Sequence, residues 1–224
     1  MPVAVSRRKL LLGSLSLLTL AKPAFAQTNL LYGGESDGFA RDPSLLPPPE
    51  SPVDFQIIPA NLKKIPNTFR KQLVDYPGAE WPGTLIVDPE HRHLYHVLEN
   101  NQAIRYGVGV GREGFSWNGE AKIGMKRRWP RWLPPEEMVV RDENAAKWAN
   151  GMPGGPENPL GARALYLYAN GEDTLYRIHG TNDPSSIGKA LSSGCVRMLN
   201  QDIAELYLRV PVGSKVVVLP SQGV

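Results

Sequence analysis

The stretch that decides the fold runs from residue 176 to residue 198 and reads YRIHGTNDPSSIGKALSSGCVRM. Its first residues close a β-rich run, so His179 is expected at a strand end, where its side chain can project into a cleft. Fifteen residues separate His179 from Cys195. This length allows a turn and a return to the same edge of the sheet. We therefore predict that the imidazole and the thiol lie close together.

The chemistry of such a pair depends on how the imidazole acts on the thiol. Cys195 is the only cysteine, and a lone cysteine can equally be a small buried core residue. Beside His179, a thiol that is mostly protonated at neutral pH can be activated by a general base or by an ion pair. We expect it to stay reactive below roughly pH 8.5, where free cysteine ionises. The Gly180 carbonyl can orient the imidazole, and no Asp or Asn is identifiable as a third member, so the group that orients His179 stays open.

The residues around the thiol offer further groups for acyl chemistry. Gly194 lets a substrate approach the backbone closely, and N–H groups around Gly194 and Cys195 can stabilise a developing oxyanion. Ser192 and Ser193 place hydroxyls beside the thiol. Arg197 shares the face of Cys195 in an extended strand. It can therefore hold the loop or bind a substrate carboxylate.

Outside this stretch, short β-rich runs alternate with turn signals, which is typical of a mainly β domain. The predicted strands cover residues 84–87, 94–98, 103–110, 164–169, 174–179 and 214–219. Asn170-Gly171 predicts a hairpin turn between the fourth and fifth of these strands. A long excursion over 127–158, rich in Trp and Pro, is expected to be a loop that covers something.

Helices are expected to be few and short. Glycine occurs 22 times and proline 21 times, a density of helix breakers that excludes long regular helices. The clearest helix is expected to have Asn200 as its N-cap and to end at Pro211. A further helical turn is expected within 184–191. The fold class is thus mainly β with one or two short helices.

Two motifs suggest cofactors but lack the context that such sites need. Residues 109–114 match G-x-G-x-x-G, but turn residues follow them instead of the helix that would face a pyrophosphate. His91 and His93 share a strand face, whereas His96 points the other way, so we interpret the three as a solvated hairpin edge. We therefore expect neither a nucleotide nor a metal.

Composition and charge exclude other classes of protein. A single cysteine rules out a disulfide framework and a multi-cysteine zinc site. The net charge of +3 arises in residues 1–26, which hold four basic residues and no acid. The remaining chain has 21 basic and 22 acidic residues, so no nucleic-acid partner is expected.

The N-terminal part of the chain is expected to direct export. Basic residues, an apolar run and Ala24-Phe25-Ala26 together predict a signal peptide over 1–26, cut after Ala26. Arg7-Arg8 resembles a twin-arginine signal; an ordinary Sec signal and an uncleaved anchor are the alternatives. A Pro/Gly-rich extended tether over 27–60 and a transitional segment over 61–81 are expected to follow.

The spacing of the site residues resembles the L,D-transpeptidase catalytic domain (the YkuD-like domain), of the Gram-negative periplasmic type. The matching positions are His179, Gly180, Ser192, Gly194, Cys195 and Arg197. Many members have His where this chain has Ser193, and residues 117–120 replace the usual Thr-Pro-x-Gly segment. The resemblance implies a catalytic domain over 82–220 with a β-sandwich-like fold and no cofactor.

The resemblance also implies a substrate and a reaction. The enzyme would act as a monomer on peptidoglycan stem peptides, with Cys195 attacking a tetrapeptide and releasing its terminal D-alanine. An amine of another stem, giving a 3–3 cross-link, or of an outer-membrane protein would resolve the thioester. His179 would serve as base and then acid, and carbapenems would acylate Cys195. Hydrolysis of the same stems by an L,D-carboxypeptidase and a non-catalytic wall-binding module are the alternatives.

Overall fold

The computed structural model describes residues 51–111, 117–192 and 194–221. The strands are β1 (Gln72–Asp75), β2 (Leu85–Asp88), β3 (His93–Val97), β4 (Gln102–Gly107), β5 (Val110–Gly111), β6 (Gly119–Arg128), β7 (Arg163–Ala169), β8 (Glu172–His179), β9 (Ala190–Ser192), β10 (Val196–Arg197) and β11 (Lys215–Val218). The α-helices are α1 (Glu136–Arg141), α2 (Glu143–Ala146) and α3 (Asn200–Arg209). Short 3₁₀ turns lie at Leu62–Lys64, Asn67–Phe69 and Pro184–Ser186.

Nine strands of the described chain form one large sheet, in the order β1-β4-β3-β2-β11-β6-β7-β8-β10. Neighbouring strands are antiparallel except for two parallel pairs, β2 with β11 and β8 with β10. β5 and β9 pair separately as a two-stranded parallel sheet. The prediction of a mainly β fold with short helices is confirmed.

The main apolar core covers one face of the large sheet. Alternate residues of the strands join it, among them Leu85, Val87, Ala121, Ile123, Leu165, Leu167, Val216 and Val218. α3 contributes Ile203 and Leu206, both fully buried, as their helical spacing predicts. Each such side chain contributes about 1.5–3 kcal/mol by leaving water. The opposite face of the strands is therefore available for polar groups.

The predicted hairpin is formed by β7 and β8. Asn170 and Gly171 connect the strands with φ values of 53° and 84°, the left-handed conformation that a tight hairpin turn requires. The pairing extends to Ala164 opposite His179. His179 thus lies at the end of the hairpin farthest from its turn.

Asn200 does not have the role that the sequence predicts. Leu199 occupies the N-cap of α3 without a side-chain hydrogen bond, and Asn200 is the first helical residue. Its side-chain oxygen accepts hydrogen bonds from the N–H groups of Ala162 and Thr181 instead. The predicted cap is wrong because two backbone donors outside the helix use that oxygen.

The excursion over 127–158 contains α1 and α2 and is therefore more ordered than a plain loop. Asn158 holds it together from a fully buried position. Its Nδ2 donates to the carbonyls of Pro130 and Pro153 at 3.1 and 2.9 Å, and its Oδ1 accepts from the Leu160 N–H at 2.9 Å. This single side chain ties both ends of the excursion to the segment that precedes β7.

Residues before 82 also belong to the folded structure. β1 lies within the predicted transitional segment, yet it pairs with β4 of the large sheet. Farther upstream, Asp54 accepts a hydrogen bond from the Trp129 indole at 2.9 Å and lies 3.1 Å from the Arg163 guanidinium. The end of the predicted tether is thus held against the excursion.

The three histidines near β3 do not form a solvated edge. His93 and His96 are buried, with 7% and 6% exposure, because β3 lies inside the sheet, so the prediction is wrong for both. Within the described residues, no group of three or more His, Cys, Asp or Glu side chains is placed to hold a metal ion. Residues 112–114 of the glycine-rich motif, and residues 115 and 116 after it, lie outside the described residues. No helix in the described part of the chain has the length and apolarity needed to span a bilayer.

Candidate active site

β8 and β10 bring the segments that carry His179 and Cys195 side by side. The strands run parallel, with Ile178 opposite Val196 and His179 opposite Arg197. Ile178 and Val196 are fully buried in the main core. Because side chains alternate along a strand, His179 and Arg197 point to the other face. Cys195 directly precedes β10 and lies two residues before Arg197.

His179 is buried and held in one tautomer. Its Nδ1 lies 2.6 Å from the Gly180 carbonyl oxygen. A carbonyl can only accept, so Nδ1 carries the proton and Nε2 holds the basic lone pair. Burial and the positive charge of Arg197 lower the pKa of His179 to about 4, against the raising effect of the Gly180 and Leu160 carbonyls. The imidazole is therefore neutral, and able to accept a proton, at neutral pH.

The Gly180 carbonyl that orients this ring is itself positioned by Asn200. The Asn200 Oδ1 accepts from the Thr181 N–H at 3.1 Å and from the Ala162 N–H at 2.9 Å. A Cβ at Gly161 or at Gly180 would lie 2.2 Å from the same oxygen, so both positions need glycine. Asn200 thus joins the chain entering β7 to the chain leaving β8, directly behind His179.

The Cys195 thiol is held in its protonated form. Burial raises its pKa above the ordinary value, against the lowering effects of an Arg177 backbone hydrogen bond and of the Arg177 and Arg197 charges. The raised pKa of the thiol and the lowered pKa of the imidazole favour activation by a general base over a resting ion pair.

Arg177 is a member of this face that the sequence reasoning missed. It lies in β8 two residues before His179, and its guanidinium binds the Asp173 carboxylate through two bonds of 2.7 Å. It also lies over the Tyr166 ring, 4.2 Å from the centroid. The strand alternation that assigned Arg197 to the site would have identified Arg177 as well.

The other predicted residues are described in part. Gly194 has a φ of +126°, which favours glycine, and a Cβ there would lie 3.2 Å from the Tyr176 ring. The backbone of Arg197 exchanges two hydrogen bonds with Gly109. Ser192 ends β9, and Ser193 lies outside the described residues.

The fold and this strand pair together define a class: a mainly β domain in which an oriented, neutral histidine ends one strand and a cysteine directly precedes the strand paired with it. The family model of the YkuD L,D-transpeptidase catalytic domain matches residues 82–218. The chain belongs to this family.

Curated relatives agree with the family match. A probable L,D-transpeptidase YbiS of Escherichia coli K12 is 36% identical over 145 residues, which cover 62% of this chain and 45% of that protein. A probable L,D-transpeptidase ErfK/SrfK of the same strain is 32% identical over 158 residues, covering 68% and 48%. The chain thus spans about half the length of the curated relatives that it matches.

Solved structures are also similar to this chain. A Brucella melitensis structure, described as a probable carnitine operon oxidoreductase, is 48% identical and covers 71% of this chain and 99% of that one, with a TM-score of 0.48. An L,D-transpeptidase from Mycobacterium smegmatis is 15% identical and covers 61% and 58%, with a TM-score of 0.45. Both TM-scores lie below 0.5, so neither adds to the family assignment.

Proposed function

We propose that this protein is a cysteine-dependent L,D-transpeptidase that acts on peptidoglycan tetrapeptide stems through a thioester on Cys195. The acceptor is an amine, either of a second stem, which gives a 3–3 cross-link, or of an outer-membrane protein. The observation that supports the proposal most directly is the parallel pairing of β8 with β10. It sets a neutral His179 with a basic Nε2 opposite Arg197, two residues after the thiol.

The reaction divides into two transfers that use the same groups. Nε2 of His179 takes the Sγ proton as sulfur attacks the carbonyl of the third residue, and returns it to the amide nitrogen as the C–N bond breaks. D-Alanine leaves and a thioester remains. The acceptor amine then attacks the thioester, gives its proton to His179, and the sulfur leaves and is reprotonated.

Arg177 and Arg197 have different parts in this proposal. Arg177 is already neutralised by Asp173 and therefore serves to shape the face around the thiol. Arg197 is half-buried on the same face and is assigned the terminal carboxylate of the stem, which it can bind through two parallel hydrogen bonds. Gly194 gives the substrate backbone close access to Cys195.

The test is incubation of the protein with purified disaccharide-tetrapeptide, with the products read by mass. A cross-linked dimer with loss of D-alanine is expected, together with an acyl adduct on Cys195. Tripeptide alone would establish the L,D-carboxypeptidase alternative, and unchanged substrate would support a non-catalytic wall-binding module.

Matched variants connect the activity with the thiol. Cys195→Ala is expected to abolish both dimer and adduct while circular dichroism and the melting temperature stay close to those of the wild type. A control that replaces an exposed residue far along the chain, Trp81→Ala, should keep full activity, because Trp81 is 81% exposed. Turnover by folded Cys195→Ala protein would overturn the mechanism.

We further propose that residues 1–26 export the protein to the periplasm by the twin-arginine route, with cleavage after Ala26. Such a signal is read by a receptor, so lysine cannot freely replace both arginines. The double variant Arg7→Lys with Arg8→Lys is expected to accumulate as a cytoplasmic precursor, whereas the wild type gives a periplasmic form that begins at Gln27. Normal processing of the double variant, seen by N-terminal sequencing, would indicate the Sec route instead.

A further inference from the structure

A bulge interrupts β8 shortly before the strand ends. The pairing of β7 with β8 shifts register between Tyr166 and Tyr168, so that three residues of β8 face Leu167 alone. The three are Thr174, Leu175 and Tyr176. Bulges bend a strand and redirect the groups that it carries, and they are common beside active sites.

Leu175, at the centre of the bulge, has a left-handed backbone. Its φ is 63°, a conformation that is uncommon for a residue other than glycine and that costs free energy. Packing does not compensate for this cost, because Leu175 is 77% exposed. Two polar side chains hold the backbone instead. The Asp173 carboxylate accepts the Leu175 N–H at 2.9 Å, and the Thr174 hydroxyl accepts the Tyr176 N–H at 3.2 Å.

The bulged part of β8 presents two backbone groups to the Cys195 sulfur. β10 begins at Val196, which pairs with Ile178, so β10 does not extend alongside the earlier part of β8. There the Sγ of Cys195 donates to the Leu175 carbonyl at 4.0 Å. Burial raises the thiol pKa, and the backbone N–H of Arg177, which donates to the sulfur, opposes this effect. The thiol therefore takes the place of a neighbouring strand at this edge.

The two backbone groups suit two different states of the sulfur. A carbonyl can only accept a hydrogen bond, so the Leu175 oxygen matches the protonated thiol. An N–H group can only donate, so the Arg177 nitrogen matches the thiolate. Hydrogen bonds to a charged acceptor are roughly twice as strong as neutral ones, and S–H donors are weak. The contact with Arg177 therefore gains most as the sulfur becomes negative.

We propose that the β8 bulge holds the Cys195 sulfur for reaction, with the Leu175 carbonyl accepting the proton of the resting thiol and the Arg177 N–H stabilising the charge that develops on sulfur. The inference rests on the proposed function and adds two backbone groups to it. As the proton passes from Sγ to Nε2 of His179, the bond to Leu175 breaks and the bond to Arg177 strengthens. When sulfur later leaves the thioester with its electron pair, the same N–H stabilises it. Leu175 is thus a positioning residue that acts through its backbone.

The experiment changes the backbone preference of Leu175 and leaves the charges near the thiol alone. Leu175→Ile has the same atoms, but a β-branched side chain strongly disfavours the left-handed conformation, whereas Leu175→Asn tolerates it. Leu73→Ile is the matched control, because Leu73 is 60% exposed in β1 and strands favour isoleucine. The charges that act on the thiol are those of Arg177, Arg197 and Asp173, and all three proteins keep them.

Two readouts in the full-length protein report on the sulfur itself. Cys195 is the only cysteine, so the Raman S–H band and alkylation by iodoacetamide both arise from it alone. In Leu175→Ile, the band should move to higher wavenumber, as a weaker hydrogen bond requires. The midpoint of the alkylation profile should rise by about one pH unit, and thioester formation from a tetrapeptide stem should slow by about tenfold. Leu175→Asn should recover most of these losses, and Leu73→Ile should match the wild type.

A second pair of variants keeps the test decisive if Leu175→Ile fails to fold. The Thr174 hydroxyl also donates to the Leu167 carbonyl at 2.7 Å, and so joins the bulge to β7. Thr174→Val removes this hydroxyl with little change of shape and should reproduce the three effects, whereas Thr174→Ser should reverse them.

The outcomes separate this inference from the proposed function. An unchanged S–H band and alkylation profile in Leu175→Ile and Thr174→Val would overturn the inference, even if both variants lose activity, because the sulfur would not depend on the bulge. The proposed function would then stand on the wild-type thioester. Wild-type protein that never forms the thioester, while the variants shift the band and the profile, would overturn the proposed function and leave the contact between bulge and sulfur in place.

Discussion

At the scale of single residues, the protonation states of His179 and Cys195 decide how the site can work. The ring is neutral because burial and Arg197 disfavour a second positive charge, and the thiol is neutral because burial disfavours the anion. The Gly180 carbonyl fixes the Nδ1 proton and so assigns the basic role to Nε2. His179 and Cys195 are therefore both uncharged at rest, and in the proposed mechanism the thiol proton moves only when a substrate carbonyl is attacked.

The first prediction is a pH profile. The rate of thioester formation should fall at acidic pH only near the His179 pKa of about 4, and not near the pKa of about 6.5 of an ordinary histidine. We call this fall the acidic limb of the profile. His179→Gln should slow acylation by about 10²–10⁴-fold and remove this acidic limb. The measurement is single-turnover acylation, followed by mass spectrometry at several pH values between about 3.5 and 9. An acidic limb at about pH 6–7, or the same limb in the wild type and in His179→Gln, would contradict the assignment of His179 as the general base.

The site residues divide into those that sequence can reveal and those that it cannot. His179, Cys195 and Arg197 are visible because strand alternation and a short spacer relate them. Arg177 is accessible to the same rule. Asn200 is not, because its partners precede it by 38 and 19 residues, and only the fold brings them together. The raised pKa of the Cys195 thiol also cannot be predicted from the sequence, because it depends on burial.

At the scale of elements, the critical junction joins the start of β7, the end of β8 and the start of α3. Asn200 Oδ1 bridges the first two, and glycines at 161 and 180 leave the space that it needs. The Gly180 N–H also donates to the Arg163 carbonyl at 2.9 Å. A helix that mainly covers the apolar core thereby positions the backbone that orients His179.

The second prediction concerns Asn200. Asn200→Ala leaves two backbone donors without their acceptor, and the free energy of unfolding should fall by about 2 kcal/mol or more in urea titration. Asn200→Asp keeps an acceptor and should recover most of that loss. The same variant places a negative charge near His179, so its acidic limb should move to higher pH. A purely structural role for Asn200 would leave the acidic limb unmoved.

The third prediction compares two glycines. Gly180→Ala places a methyl group 2.2 Å from Asn200 Oδ1, so it should displace that side chain, reduce acylation and destabilise the fold. Gly171→Ala is the control: its φ of +84° is strained for alanine, but nothing lies within 4 Å of the added methyl group. The control should cost about 1 kcal/mol of stability and no activity. Equal losses of activity in the two variants would contradict the proposal that Gly180 and Asn200 position His179.

The excursion shows the limit of element prediction from sequence. Its prolines and glycines predict an irregular loop, and no apolar periodicity predicts α1 or α2. Both helices are short and are placed by contacts made elsewhere, above all by the buried Asn158. The strands and α3 are predictable because their apolar patterns match the core that they share, whereas the excursion has no such pattern.

At the scale of the whole molecule, two buried titratable groups act in opposite directions on stability. His179 has its pKa lowered to about 4 by burial and by the Arg197 charge. Asp202, in the first turn of α3, has its pKa raised to about 6, chiefly by burial and against the Lys71 charge. Both groups are therefore neutral in the folded chain at mildly acidic pH, whereas both would be charged in the unfolded chain.

The signs of the two contributions follow from proton binding. Between pH 4 and 6 the unfolded chain holds one more proton than the folded chain at His179, so that contribution to stability falls as pH falls. Over the same window the folded chain holds one more proton at Asp202, so that contribution falls as pH rises. Each slope is about 1 kcal/mol per pH unit, and the two nearly cancel.

The last prediction concerns how the free energy of unfolding depends on pH when either His179 or Asp202 is replaced. Relative to the wild type, Asp202→Asn should lose about 2 kcal/mol more of its free energy of unfolding as pH drops from 6 to 4, because the Asp202 contribution that opposes the His179 slope is gone. Relative to the wild type, His179→Gln should show the reverse, an additional loss of similar size as pH rises from 4 to 6. His93, His96 and Glu205, whose lowered pKa values give slopes of the same sign as His179, are present in all three proteins and cancel in these differences. Urea titrations of the wild type and the two variants at several pH values measure these slopes directly. Parallel profiles in all three proteins would mean that neither group is buried and neutral as the structure places it, and with His179 the uncharged resting site would also be lost.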